Sequence, residues 1–218
     1  MNKLIKIVIW LVWAVPVVYL AATWNRLPEQ VPLKYGLNGE PIRYGTKSEL
    51  FMILAILLAV NIGVYFLLVN INRIDPKKKY REENLPRMRR LAFAISIFMS
   101  AISCFIIYSS LGTSPKFNSK IIVVAVGLLF AVVGNYMYNI KPNYFAGIRL
   151  PWTLENEDNW KKTHMLAGKL WFAGGLLVAL TALFLPDKIA LIFTFSIIIL
   201  LTIIPTVYSY RLYKKQLP

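Results

Sequence analysis

The chain has 218 residues, 57% of them hydrophobic, with a mean hydropathy of +0.56 and a formal net charge of +15. So oily a composition excludes an ordinary soluble domain, and the basic excess, which would suggest nucleic acid in a soluble protein, here reads first as the cytoplasmic loops of a membrane protein. The single cysteine, Cys104, excludes an intrachain disulfide.

Apolar runs of about 20 residues, enough to cross a bilayer, fall at 7–24, 50–71, 91–111, 121–140, 165–185 and 189–210. They lack the alternating pattern of outer-membrane barrels, and backbone groups in hydrocarbon must be satisfied within their own segment. The expectation is an all-α integral membrane protein, a six-transmembrane-helix bundle, with residues 1–218 forming a single membrane domain. The first run follows Lys3 and Lys6, contains Pro16 and ends in Ala21, Ala22, Thr23 and Trp24. It is longer than a signal-peptide core and has no small-x-small cleavage site, so it reads as an uncleaved anchor.

Basic residues cluster on one side of these spans: Lys3 and Lys6, the run from Arg73 to Arg90, Lys141, Arg149, Lys161, Lys162, Arg211, Lys214 and Lys215. The other side carries only Arg26, Lys34, Arg43, Lys47, Lys116, Lys120 and Lys188. Both termini are therefore expected in the cytoplasm of a multi-pass cell-membrane protein.

The outer loop, 25–49, holds a near-repeat, PLKYG at 32–36 and PIRYG at 41–45, separated by Leu37, Asn38 and Gly39. Asn-Gly between short alternating segments signals a hairpin, since both residues tolerate positive φ. A small extracellular hairpin-like loop is predicted between helices 1 and 2, with Tyr35 and Tyr44 near the membrane surface. An ordered connector without a ligand is the plainer reading of it. The basic cytoplasmic loop, 72–90, attracts anionic lipid at about 1 kcal/mol per basic residue near the surface; docking of a cytoplasmic partner is the alternative.

Within the spans, Gly127, Ala131 and Gly134, and then Gly175, Ala179 and Ala182, have the spacing that lets helices approach closely. Asn61 and Asn135 need partners inside the bundle. The short link Pro186-Asp187-Lys188 makes the last two spans an antiparallel pair. Chemistry is sparse: one His and one Cys give no metal-ligand set, and Cys104 and His164 belong to different depths. Acids stay in loops and span ends, Lys169 sits near a span end where it can snorkel, and no glycine-rich phosphate loop is present. The chain does not read as an enzyme, and no cofactor is expected.

One segment stands apart, NYFAGIRLPWTLENEDNWKKTH at 143–164. Its second half reads as a helix start, with Thr153 as cap and Glu155, Glu157 and Asp158 in the first turns. Trp160, His164, Gly168, Trp171 and Gly175 share one helical face. A satisfied interfacial histidine is the plain reading of His164; a recognition or pH-sensitive site is the sharper one. Pro151 and Gly147 forbid a helix through the first half and fix Arg149 between them, a cation held near the bundle with acids close by.

The stretch 134–175, across helix 4, the cytoplasmic loop and helix 5, resembles the signature of the SdpI family of bacterial immunity proteins: Gly-Asn-Tyr, Lys-Pro-Asn, Gly-Ile-Arg, Pro-Trp-Thr, a Trp, Thr-His and a Gly-rich helix. The outer loop is similar to the amino-terminal domain of unknown function often found in that family, through Leu27, Pro28, Pro32, Tyr35, Asn38, Gly39, Pro41 and Lys47. Leu150, Met165 and Lys34 stand where the family commonly has Thr, Arg and His. The resemblance implies protection against a secreted membrane-damaging peptide toxin, and a sensor that holds a cytoplasmic helix-turn-helix repressor at the membrane without itself binding nucleic acid. It places the functional cluster at Asn135, Asn143, Gly147, Arg149, Pro151, Trp152, Thr153, Trp160, Thr163 and His164, with no catalytic role. Two other classes compete: a small-solute or peptide transporter, with Asn61, Asn135 and the glycines lining a path, and a bundle that only supports other envelope proteins.

Overall fold

The computed structural model describes residues 3–36, 39–111 and 119–215. Its elements are α1 (Lys3–Thr23), β1 (Gln30–Tyr35), β2 (Pro41–Thr46), α2 (Lys47–Ile74), α3 (Arg81–Leu111), α4 (Ser119–Met137), α5 (Pro151–Glu155), α6 (Glu157–Phe184) and α7 (Asp187–Lys214). All but α5 among the helices are long and apolar enough to cross a membrane, six in number, as the apolar runs require. The expected all-α membrane protein is therefore observed. The segment read as a basic loop is largely helical, because α3 starts at Arg81, well before its apolar run. Glu82 and Glu83 occupy its first turn, where the helix dipole favours negative charge, and the Arg87 guanidinium donates back to the Glu83 carbonyl at 3.0 Å.

By its contacts the chain divides into two compact units, Met1–Phe66 with Ala92–Ile122, and Leu67–Leu91 with Val123–Pro218. In the first, β1 and β2 form an antiparallel hairpin, closed by the Gly36 N–H donating to the Glu40 carbonyl at 2.8 Å, with Gly39 at φ 77°. The two copies of the repeat pair head to tail: Pro32 faces Tyr44, Lys34 faces Arg43 and Tyr35 faces Pro41. Like charges opposite one another are unfavourable, and Arg43 is drawn to Glu49 at 2.6 Å. One face of the hairpin is apolar, with Val31 fully buried among Leu20, Leu27, Leu50, Leu54 and Ile107. Asn61 is buried and donates to the Ser96 carbonyl and the Ser100 hydroxyl at 3.3 and 3.2 Å, the partners its place in a span demands.

In the second unit, α4 and α6 meet along their small residues. A Cβ on Gly127 would lie 2.7 Å from the Ala179 nitrogen, and one on Gly134 would lie 2.4 Å from the Phe172 nitrogen. Backbones thus touch where side chains would hold them apart. Helix α7 follows α6 after a two-residue link and packs along it. Pro205, inside α7, has no N–H to donate to the carbonyl four residues earlier, that of Leu201. The indole N–H of Trp171 on α6 takes that carbonyl instead, at 2.9 Å. A neighbouring helix thereby satisfies a backbone group that a proline frees in the bilayer.

This pairing has a measurable signature. Trp171→Phe is expected to cost about 1–3 kcal/mol by orphaning the Leu201 carbonyl, and Pro205→Ala, which restores the backbone donor, to recover most of that cost. Unfolding of the two single variants and the double variant in detergent gives the coupling; additive effects would contradict the pairing.

Candidate functional site

The site is the segment between α4 and α6, which apart from the short helix α5 has no regular backbone pairing and takes most of its hydrogen bonds from side chains. Asn143 is buried and folds the first turn: its Oδ1 accepts from the Phe145 and Ala146 N–H groups at 2.9 and 2.7 Å, and its Nδ2 donates to the Lys141 carbonyl at 2.9 Å. A short polar side chain bonding the backbone two or three residues on is what Asn does best in turns. Gly147 has φ 109°, in the left-handed half of the map, so the chain reverses there at a position that other residues enter only with strain. Thr153 then sets the exit. Its Oγ1 accepts the Leu150 N–H at 2.9 Å and lies 2.9 Å from the Ile148 carbonyl, to which it donates. Pro151 opens α5, where a missing N–H costs nothing.

From α6, two stacked rings hold this segment at both ends. Trp160 and His164 lie one turn apart, centroids 3.9 Å apart and planes at 19°. The Trp160 indole donates to the Ile140 carbonyl at 2.8 Å, and His164 Nε2 accepts the Ile148 N–H at 2.9 Å. The other imidazole nitrogen, Nδ1, lies 2.8 Å from the Trp160 carbonyl. An N–H only donates and a carbonyl only accepts, so both bonds are made by one species, the neutral imidazole with its proton on Nδ1. Gly147 completes the fit: a Cβ there would stand 2.3 Å from His164 Nε2. Both the left-handed φ and the approach of the imidazole require glycine.

A second network ties α5 and α6 to α7. Asn159, fully buried, donates to the Ser209 carbonyl at 3.0 Å, and its Oδ1 accepts from the Ser209 hydroxyl at 2.9 Å and the Thr163 hydroxyl at 3.0 Å. The Trp152 indole donates to the same Ser209 hydroxyl at 2.9 Å and stacks on Tyr213. Asp75 and Asn84 hold the segment from the α2–α3 side. Asp75 accepts the Tyr144 N–H at 3.3 Å, and Asn84 pairs with both backbone groups of Lys141 at 3.0 and 3.1 Å.

The structure brings Asn143, Gly147, Arg149, Trp152, Thr153, Trp160, Thr163 and His164 together in this region, and it differs from expectation at three points. Asn135 is exposed on α4 and lies outside the cluster. Thr153 does not cap the long helix; that cap is Asn156, whose side chain accepts the Asn159 N–H, and Thr153 belongs to the separate short helix α5. Arg149 is exposed and its guanidinium donates to the Tyr144 carbonyl at 2.6 Å, with no carboxylate at ion-pair distance among the described residues. Asp75, Asn84, Asn159 and Ser209 were missed; only Asn159, four residues before Thr163, had a spacing that pointed inward.

Between α1 and α2, Pro32, Tyr35, Gly39 and Pro41 build the hairpin, Lys47 pairs with Glu29 at 3.3 Å, and Asn38 lies outside the described residues. The Tyr35 hydroxyl reaches the Ser109 carbonyl at 3.5 Å; burial, then the neighbouring Tyr44, pushes its pKa up, so it remains a donor. Among the described residues no group of three or more His, Cys, Asp or Glu stands together to hold a metal ion. The groups that clasp 140–148 from α6, Trp160 and the neutral His164, are uncharged, and they bond to backbone groups and stack on each other.

Gly147→Ala tests the clasp. It is expected to break the Ile148–His164 bond and destabilise the protein by about 1–3 kcal/mol through strain and overpacking, read as lower thermal stability in detergent and faster amide exchange at Ile148. Unchanged exchange at Ile148 would contradict the assigned contact.

Residues 139–209 match the model of the SdpI/YfhL protein family, and residues 11–58 match the domain of unknown function DUF1648. Along 192 residues the chain is 27% identical to "Immunity protein SdpI" of Bacillus subtilis (strain 168), a match covering 88% of this chain and 87% of that protein. No solved structure matches the chain. The clasp lies within the first of these matches and the hairpin within the second, and the chain is a multi-pass membrane protein whose residues 139–209 are similar to the SdpI/YfhL protein family.

Proposed function

We propose that this protein is a membrane immunity protein that protects its bacterial cell from a secreted, membrane-active peptide toxin. The observation that carries the reading is the coincidence of the family match with the clasp: residues 139–209 contain Trp160 and His164 together with the Ile140 and Ile148 backbone groups they hold. The relative named as an immunity protein is similar along nearly the whole chain, so the resemblance is not confined to one motif.

In this reading both termini and the 139–164 segment face the cytoplasm, and the hairpin faces outward, as the distribution of basic residues suggests. The clasp is a two-state element. Toxin engaged from outside or within the bilayer favours one packing of α6, and the segment held by His164 then presents a different surface inside the cell. A cytoplasmic helix-turn-helix repressor that binds that surface is retained at the membrane. Linkage requires that repressor binding also tightens toxin binding by the same factor. A transporter has less support, because the α4 and α6 glycines are filled by opposing backbone instead of lining a path, and Asn61 is tied to α3.

Expression in a toxin-sensitive bacterium, with survival and membrane potential as readouts, tests the reading. The wild-type chain is expected to restore survival, and His164→Ala or Arg149→Ala to lower it at least tenfold while the protein remains inserted. Failure to protect against any related peptide contradicts immunity, and full protection by both variants contradicts the role of the clasp.

A further inference from the structure

Two cavities open beside the clasp in the second unit. The larger, about 410 Å³, lies between the start of α3, the end of α4 and the start of α6, and its lining includes Tyr80, Arg87, Tyr138, Lys141, Lys161 and Met165. The smaller, about 170 Å³, is almost wholly apolar and includes Met88, Leu91, Val133, Ile148 and Trp171. Arg87 and Ile140 line both, so the two adjoin.

Their order in depth follows from the helices. Since α3 starts, α4 ends and α6 starts at this end, the polar cavity lies where three spanning helices leave the hydrocarbon. Leu91 lies further along α3 than Arg87, Val133 further back along α4 than Tyr138, and Trp171 further along α6 than Lys161. The apolar cavity is therefore the deeper one. A polar chamber at the interface leading to an apolar one within is the shape of an amphiphile.

The charges specify its head. Three carboxylates line the polar cavity and each is engaged: Glu83 with Lys141 at 3.4 Å, Glu157 with Lys79 at 2.9 Å and with the Tyr80 hydroxyl, and Asp158 with Lys162 at 2.7 Å. Arg87, bonded only to the Glu83 carbonyl, and Lys161 remain as cations without a carboxylate partner among the described residues. A guanidinium and an ammonium at a membrane interface match a phosphate.

We propose that this composite cavity is a binding site for one anionic phospholipid, with its phosphate at Arg87 and Lys161 and part of one acyl chain against Leu91, Val133 and Trp171. Gly147 and Ile148 form part of the inner wall, so the chain of the bound lipid touches the segment that His164 holds. Lipid occupancy then supports the clasp through Gly147 and Ile148, whatever the protein's partner outside the cell. The site stands independently of the immunity reading.

Native mass spectrometry of the full-length protein in detergent tests this. Titration with dioleoylphosphatidylglycerol is expected to give one retained lipid, bound at least tenfold more tightly than dioleoylphosphatidylcholine. Arg87→Gln with Lys161→Gln is expected to abolish that preference, and Lys161→Gln alone to reduce it about threefold should the double variant fold poorly. Lys78→Gln, in the same basic region but outside the cavity, should leave it unchanged. Equal retention of the two lipids, equal loss in Lys78→Gln, or displacement of the lipid by inorganic phosphate or by an acidic peptide without an acyl chain would each overturn the proposal.

Discussion

The second unit depends on one constraint: a non-helical segment beside the membrane must find partners for its backbone groups, and α6 supplies those at its two ends from a single pair of stacked rings. Trp160 takes the carbonyl of Ile140 and His164 takes the amide of Ile148, so the beginning and end of the reversal are fixed to one turn of one helix. An unpaired buried backbone group costs about as much as a lost hydrogen bond. The imidazole can do this only while neutral and only with its proton on Nδ1. Gly147 must in turn be glycine, and Asn143 must fold the preceding turn so that Ile148 arrives with its N–H directed at the ring.

The same logic recurs on the rest of α6 and α7. Pro205 frees the Leu201 carbonyl and the Trp171 indole answers it, while the Trp152 indole and Asn159 satisfy Ser209 one turn further along α7. Indoles suit this work because they are large, apolar and carry one donor. Glycines of α4 and α6 bring those two helices into backbone contact, so α6 is held to α4 by close packing and to α7 by hydrogen bonds. Movement of α6 by one turn would break all of these at once, which makes intermediate positions costly and favours discrete states over continuous deformation.

Much of this was legible in the sequence. The spans follow from run length, the hairpin from a repeat around Asn-Gly, and the α4–α6 seam from small residues at i, i+4 spacing. The shared face of Trp160, His164, Gly168 and Trp171 follows from helical periodicity. What could not be read depends on contacts between distant residues. Asp75, Asn84 and Ser209 look like ordinary polar residues at helix ends until the fold sets them against Tyr144, Lys141 and Asn159. Thr153 and Asn156 are both good caps, and only the break after Glu155 decides between them. Asn135 adjoins Gly134, yet one step along a helix turns about 100°, so a glycine facing α6 puts its neighbour on another face. Arg149 looked like a cation seeking acids, but the nearest demand came from the Tyr144 carbonyl.

His164 is the chain's only histidine, so a single imidazole spectrum reports on the clasp without assignment. Nitrogen-15 NMR of the protein in detergent micelles at neutral pH should show one protonated, pyrrole-like nitrogen at Nδ1 and one unprotonated, pyridine-like nitrogen at Nε2. A proton on Nε2, in the other tautomer or in an imidazolium, would leave the Ile148 amide without its acceptor and would contradict the account.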